Sequence, residues 1–282
     1  MNLEARLLGT FATAHPVQVA RTLESMPTSD AAEVMAELPV EVLAELLRWV
    51  APLTAARCLE AVPAEVATLT LSAARSDVAA AILRTTNQAR RSKVIESLSP
   101  VHRKAMRSLL RYPEGTAGAL MDPGVIALTE SVSAGEALEQ LRISAQHALY
   151  YVYVVSDDLK LTGVVNIREL MGARPDQLLG LISTRTVDSL SARASWESIV
   201  AHPAWKRVHA LPVVESDGRF LGAVRYESLR ELEDRLAGAE LEDHGAQTGA
   251  ALSELYGLGL RGLLDWAASA LSGSATSDRG RS

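Results

Sequence analysis

Cys58 is the only cysteine among 282 residues, which leaves nothing for a disulfide framework or a thiolate zinc site. A reducing, cytosolic compartment is the expectation. Aromatic residues make up only 4% of the chain, so its cores must be built from Leu, Val and Ala. No uninterrupted apolar stretch reaches the ~18–20 residues that a membrane-spanning helix needs. The nearest, Leu255 to Leu271, is broken by Arg261 and Asp265 and loosened by Gly257, Gly259 and Gly262. The opening MNLEARLLGTF lacks the cationic start and apolar run of a signal peptide. The six histidines (15, 102, 147, 202, 209 and 244) show no metal-ligand spacing, and no Ser or Cys sits in a nucleophile motif. No enzymatic activity is expected, and Cys58 reads as a small core residue.

What is present is ordinary globular material, 48% hydrophobic and 22% charged, long enough for two domains. The net charge of −6 is unevenly spread. Residues 1–112 carry thirteen Lys/Arg against eleven Asp/Glu, and residues 113–282 carry fifteen against twenty-three. Arg84 to Arg111 holds eight basic residues and only Glu96 as an acid. Such a stretch neutralises phosphate, but it lacks aromatic interleaving and any base-reading motif. It is expected to be a solvated face or to meet an acidic protein, and no nucleic-acid partner is expected.

Prolines at 27, 39, 52 and 63 punctuate the first part, most of them opening an apolar-periodic segment. Asp30–Glu37, Val40–Val50, Leu53–Ala61, Glu65–Ser72, Asp77–Leu83, Gln88–Leu98 and Val101–Arg111 read as consecutive short helices. Each is too short to be stable alone, so they must stack, either as a superhelical array or as a compact irregular bundle.

The pattern changes at YPEGTAGALMDP, Tyr112 to Pro123. Tyr-Pro stops the helix and Gly115 and Gly118 loosen the backbone, so the segment reads as a joint. Beyond it, Tyr151–Val155 and Leu161–Val165 read as strands and Asn166–Met171 begins a helix. VVSDDLKLTGVVNIREL from Val154 then returns as VVESDGRFLGAVRYESL from Val213, offset by 59 residues without a gap. Helical segments, Ala134–Ile143 and Ser195–Ala201, precede the two copies. A small α/β unit has been duplicated.

That duplicated unit resembles a tandem CBS domain pair. With the short helices, the YPEGTAGALMDP joint, YYVYVV (Tyr150–Val155) and ALPVV (Ala210–Val214), residues 25–240 resemble the cytosolic portion of the MgtE family of magnesium channels. The resemblance implies an α + α/β fold: an MgtE N-like superhelical array of short helices (1–112), a CBS pair (113–178 and 179–237), and a C-terminal helix and disordered tail (238–282). It implies cytosolic magnesium sensing, a homodimer formed through the CBS units and a membrane transporter as partner. The pore that follows in that family is not expected here, so the chain reads as a cytoplasmic regulatory protein that does not span the membrane. The alternative is a CBS-based interaction module that has lost both metal and nucleotide sensing.

Family members carry aspartates on the helical domain that help hold magnesium. Thr86, Asn87, Gln88, Ala89, Arg90, Arg91, Ser92 and Lys93 stand there instead. The resemblance assigns magnesium ligation to the acidic segment after the second CBS unit, with Glu227, Glu231, Asp234 and Glu240 as candidates. Glu227, Glu231 and Asp234 share one helix face, and a solvated face is the plain alternative. The opposite charges suggest that Arg90, Arg91 and Lys93 hold the domains together with no ion, although exposed pairs contribute only ~0–1 kcal/mol each. An adenine nucleotide is the second candidate ligand. The CBS positions that grip ribose and phosphate fall at Asn166 with Glu169 and at Arg225 with Ser228, and neither pair keeps the hydroxyl–aspartate pattern. Leu255–Leu271 is apolar enough to require a partner, with packing on the CBS pair, a dimer contact and a membrane surface all open.

Overall fold

The computed structural model describes residues 3–143 and 151–234. The chain forms two compact units, 1–231 and 232–282, and of the second only the helical residues 232–234 are described. The expected C-terminal helix and tail, the Leu255–Leu271 segment and Glu240 lie outside the described residues.

The first unit opens with α1 (Leu3–Ala14), α2 (Pro16–Ser25), α3 (Thr28–Glu37), α4 (Val40–Leu46), α5 (Pro52–Ala61), α6 (Ala64–Ala73), α7 (Ser76–Thr85), α8 (Gln88–Ser97) and α9 (Pro100–Leu109). Pro52 occupies the first turn of its helix, whereas Pro27, Pro39 and Pro63 sit one residue earlier, at the N-cap. The fixed φ of proline suits either place, and its missing N–H is no loss there. From α2 onward each helix ends where the following residue turns extended, except α4 and α9, which wind into a further turn. Alternate helices pack on one another, α3 on α5, α5 on α7, α7 on α9, and α4 on α6. This is the two-layer stacking of a superhelical array, in which each short helix gains stability only from its neighbours. Leu43, Leu46, Leu47, Ile82, Leu83 and Leu109 fill its interior together with Cys58. Burial pushes the Cys58 thiol up, in keeping with a packing role.

After the joint, a one-turn helix α10 (Ala117–Leu120) leads to two three-stranded sheets. In the first, β1 (Ala127–Thr129) runs parallel to β2 (Tyr151–Val155), which pairs antiparallel with β3 (Leu161–Asn166). In the second, β4 (Leu190–Ser191) runs parallel to β5 (Ala210–Val214), antiparallel to β6 (Phe220–Arg225). The duplication holds register for register. Tyr151 faces Asn166 as Ala210 faces Arg225, Val154 faces Gly163 as Val213 faces Gly222, and both sheets carry an irregularity at the next residue. Helices α11 (Ala134–Ile143), α12 (Ile167–Gly172) and α13 (Leu179–Ile182) accompany the first sheet. α14 (Trp196–Val200), a 3-10 turn (Pro203–Lys206) and the helical residues 226–231 accompany the second.

The copies meet about an approximate twofold. Leu161 N–H donates to Gly218 O and Phe220 N–H to Leu159 O, reciprocal bonds at 3.1 and 2.9 Å. The rings of Tyr153 and Phe220 stack with centroids 4.8 Å apart. Linker segments cross over this axis. Asp122, which precedes the first copy, exchanges backbone bonds with Ala223 of β6, and Thr184, between the copies, does the same with Val164 of β3.

The buried apolar residues reveal a less symmetric division. One cluster runs from the helical array through Tyr112, Ala117 and Met121 into Leu211, Val213, Val224 and Leu229 of the second copy. The first copy has a cluster of its own, around Ala137, Val152, Val165, Leu170 and Leu179. The helical array and the second copy therefore share one core.

Candidate functional site

The joint is rigidly tied. Arg84 donates to the carbonyls of Leu109 and Tyr112, satisfying the end of α9. The Tyr112 ring lies against Gly118, where a Cβ would sit 2.4 Å from its nearest ring atom, and its hydroxyl donates to Glu215 at 2.7 Å. Burial, aided by that carboxylate, pushes the Tyr112 hydroxyl up to about 12. Ala117 N–H and Gly118 N–H donate to Ala194 O and Ala192 O, fixing α10 against the second copy.

Beyond the joint, charged groups converge where the array meets the helical residues after β6. Arg48 lies in the turn that closes α4, and Arg75 stands at the N-cap of α7. Glu231 sits between them: Arg48 reaches it through Nε and Nη2, and Arg75 Nη1 lies 2.8 Å from Oε2. Arg75 Nη2 also donates to Ser228 Oγ at 2.6 Å, and the same guanidinium grips both oxygens of Asp77. The three groups are only 18%, 19% and 14% exposed for Arg48, Arg75 and Glu231. Burial pulls the Arg75 guanidinium down, but Asp77, Glu227 and Asp122 together hold it above the ordinary arginine range. Arg225 bonds Asp122 at 2.5 Å, extending the charge cluster to the joint.

The sequence-derived site residues fall as follows. Glu231 is enclosed by arginines, and Glu227, 71% exposed, lies 3.8 Å from Arg48. Asp234 falls in the second unit. Among the described residues no three carboxylate, imidazole or thiol groups gather closely enough to hold a metal ion. Asn166 and Glu169 form a capping box on α12, each side chain accepting from the other's backbone N–H. Arg225 and Ser228 are engaged by Asp122 and Arg75. Arg90 turns inward to Leu59 O and Glu60, within the array. Arg91 and Lys93 share its helix, α8. The cations that reach the acidic helix are thus Arg48 and Arg75, which the sequence reading passed over.

A helical array sharing its core with one half of a duplicated α/β pair, closed by an ion-paired junction, defines a two-part helical and α/β module. Residues 14–115 match the MgtE intracellular N domain and residues 117–176 match the CBS domain. The two matches run through the helical array, the joint and the first α/β copy. It is 31% identical over 151 residues to the magnesium transporter MgtE of Thermus thermophilus, covering 53% of this chain and 34% of the relative. The corresponding protein of Enterococcus faecalis is 28% identical, with 49% and 33% covered. The chain thus spans about a third of the length of the curated relatives it matches. A solved cytosolic domain of the Mg2+ channel MgtE, in complex with ATP, superposes with a TM-score of 0.70 at 27% identity, covering 77% of this chain and 90% of that one. The soluble part of a magnesium transporter shares the fold, with a TM-score of 0.60 at 21% identity over 83% and 98% of the two chains. Among the described residues no helix is long and apolar enough to cross a membrane.

Proposed function

We propose that this chain is a cytosolic regulatory module of magnesium transport, acting on a magnesium-conducting membrane domain, with the helical array and second CBS copy moving as one piece. In this reading residues 1–112 form the array, 113–178 and 179–237 the two CBS units, and the copies associate as a homodimer through the CBS pair. The first copy offers Met171 and Leu181, 71% and 76% exposed, as apolar surface for that dimer. The observation that carries the reading is Glu231 held between Arg48 and Arg75. Fixed guanidinium groups stand where a cation would otherwise have to join the array to the acidic helix, so docking needs no ion. Small-angle scattering with and without millimolar magnesium tests this. An unchanged radius of gyration is expected, and magnesium-driven compaction of the wild-type chain would restore metal-dependent docking. Magnesium flux through an MgtE-type membrane domain, measured with and without this chain, tests the regulatory role; identical flux defeats it.

The second reading, an interaction module without ligand sensing, is favoured by Arg225 and Ser228 being occupied by Asp122 and Arg75. ATP, present in the solved relative, would have to displace those partners or use the first copy, where Asn166 and Glu169 already bind each other. Calorimetry with magnesium, ATP and AMP separates the two readings, since heat on any of these titrations supports sensing.

A further inference from the structure

The basic end of the array contains a concavity unrelated to the ion-paired junction. Gln88, Arg91, Ser92 and Ile95 of α8 face Arg107, Leu110 and Arg111 at the end of α9, around a cavity of about 440 Å3. Its lining holds three guanidinium groups, two neutral polar side chains and no acid. Five other arginines of the array are engaged: Arg48 and Arg75 by Glu231, Arg84 and Arg103 by backbone carbonyls, Arg90 by Glu60. Arg91, Arg107 and Arg111 pair with no carboxylate among the described residues. Arg107 lies in the last turn of α9 and Arg111 two residues past its end, and both line the same concavity.

We propose that this groove binds an oligophosphate anion, its phosphates gripped by Arg91, Arg107 and Arg111 with Ser92 and Gln88 as further donors. Planar guanidinium forks match phosphate oxygens in pairs, and three of them around one concavity match a multiply charged anion better than a single carboxylate. Ile95 and Leu110 add neutral, apolar surface to the lining. A free oligophosphate and a lipid headgroup present the same chemistry, and the test separates them.

Inorganic tripolyphosphate is titrated calorimetrically into the full chain, and flotation is measured with vesicles of phosphatidylcholine containing phosphatidylglycerol. Both are repeated with the triple variant Arg91→Gln, Arg107→Gln, Arg111→Gln, with Arg142→Gln as a control on another exposed helix. The triple variant is expected to bind tripolyphosphate roughly tenfold or more weakly, because each lost contact is charge-assisted. The corresponding Lys triple variant should fall between, since it keeps charge but loses the forks. Loss of vesicle flotation in the triple variant, rather than of tripolyphosphate binding, assigns the site to headgroups. Equal binding by wild type and triple variant, or no binding of either probe, overturns the proposal.

Discussion

The two α/β copies agree in strand order, register and bulge, yet three positions set their fates apart. Asn166, Glu169 and Gly172 of the first copy correspond, at the 59-residue offset, to Arg225, Ser228 and Glu231 of the second. The first set is local: Asn166 and Glu169 cap their own helix, and the Gly172 Cα faces open space. The second set reaches outward, Arg225 to Asp122, Ser228 to Arg75, and Glu231 to both Arg48 and Arg75. One copy remains a free-standing unit with its own core. Its twin has become the far wall of the helical array. Duplication supplied the frame, and the second copy's side chains at these three positions add charged contacts to the apolar core it shares with the array.

Removing Glu231 should break this comparison most severely. Glu231→Gln leaves Arg48 and Arg75 largely buried without their shared carboxylate, and a loss of about 3 kcal/mol is expected. Chemical denaturation measures it. Gly172→Ala, the matching site in the first copy, should move the midpoint little, because nothing lies within 4 Å of the added atom. Equal effects at the two positions would show that the ion-paired junction adds nothing to the fold.

The glycines of β3 and β6 give the next largest contrast. A Cβ at Gly222 would lie 2.5 Å from the Asp122 carbonyl and 3.0 Å from Pro123 Cα, both backbone atoms of the crossing joint. At Gly163 the nearest atoms belong to the Ser183 side chain, at 2.7 and 2.8 Å. Gly222→Ala is therefore expected to cost about 2–3 kcal/mol, and Gly163→Ala less, because a side chain yields more readily than a backbone. Melting temperatures of the two variants decide it.

Much of this was legible in the chain itself. Prolines marked α3 to α6 and α9, each of which begins at or beside one, whereas α7 and α8 start at Arg75 and Asn87 and were legible only from their apolar spacing. The copies were readable because an ungapped repeat preserves every pairing partner. The helices α1 and α2 were passed over, since only Pro16 punctuates them, and the strands β1 and β4 are too short, at three and two residues, to show alternation. The opposite charge of array and acidic helix was visible, but its bearers were not. The basic run at 84–111 drew attention to Arg90, whereas the contacts are made by isolated arginines 183 and 156 residues from Glu231. What sequence did hold was the mismatch itself: a glutamate in one copy where its twin has glycine.

Tyr112 supplies a pH-dependent comparison between the array and the second copy. Its hydroxyl is raised from 10.0 to about 12 by burial and by Glu215, so the folded state favours the protonated phenol. That stabilisation is complete below pH ~10, the unfolded value, and is lost as pH rises toward 12. Tyr112→Phe should lower stability by about 1 kcal/mol at neutral pH through the lost hydrogen bond. The gap between wild type and variant should then narrow across that alkaline window. Urea midpoints measured at a series of pH values give the curve, and a constant gap would place the Tyr112 proton outside the folding equilibrium.

The smallest effect concerns the turn between the paired strands, where the copies differ by a side chain that conformation disfavours. Gly218 adopts φ +86°, and its counterpart Leu159 is held at φ 61° with half of its side chain exposed. A non-glycine residue in the left-handed region costs about 1–2 kcal/mol, while glycine loses more chain entropy on folding, about 0.5–1 kcal/mol. Leu159→Gly should accordingly stabilise the first copy by about 0.5 kcal/mol, and Gly218→Leu should destabilise the second. Because Leu159 O accepts from Phe220 N–H across the approximate twofold, relaxing that turn acts on both copies at once. A destabilised Leu159→Gly variant would mean that the leucine side chain contributes packing at the axis that outweighs its backbone strain.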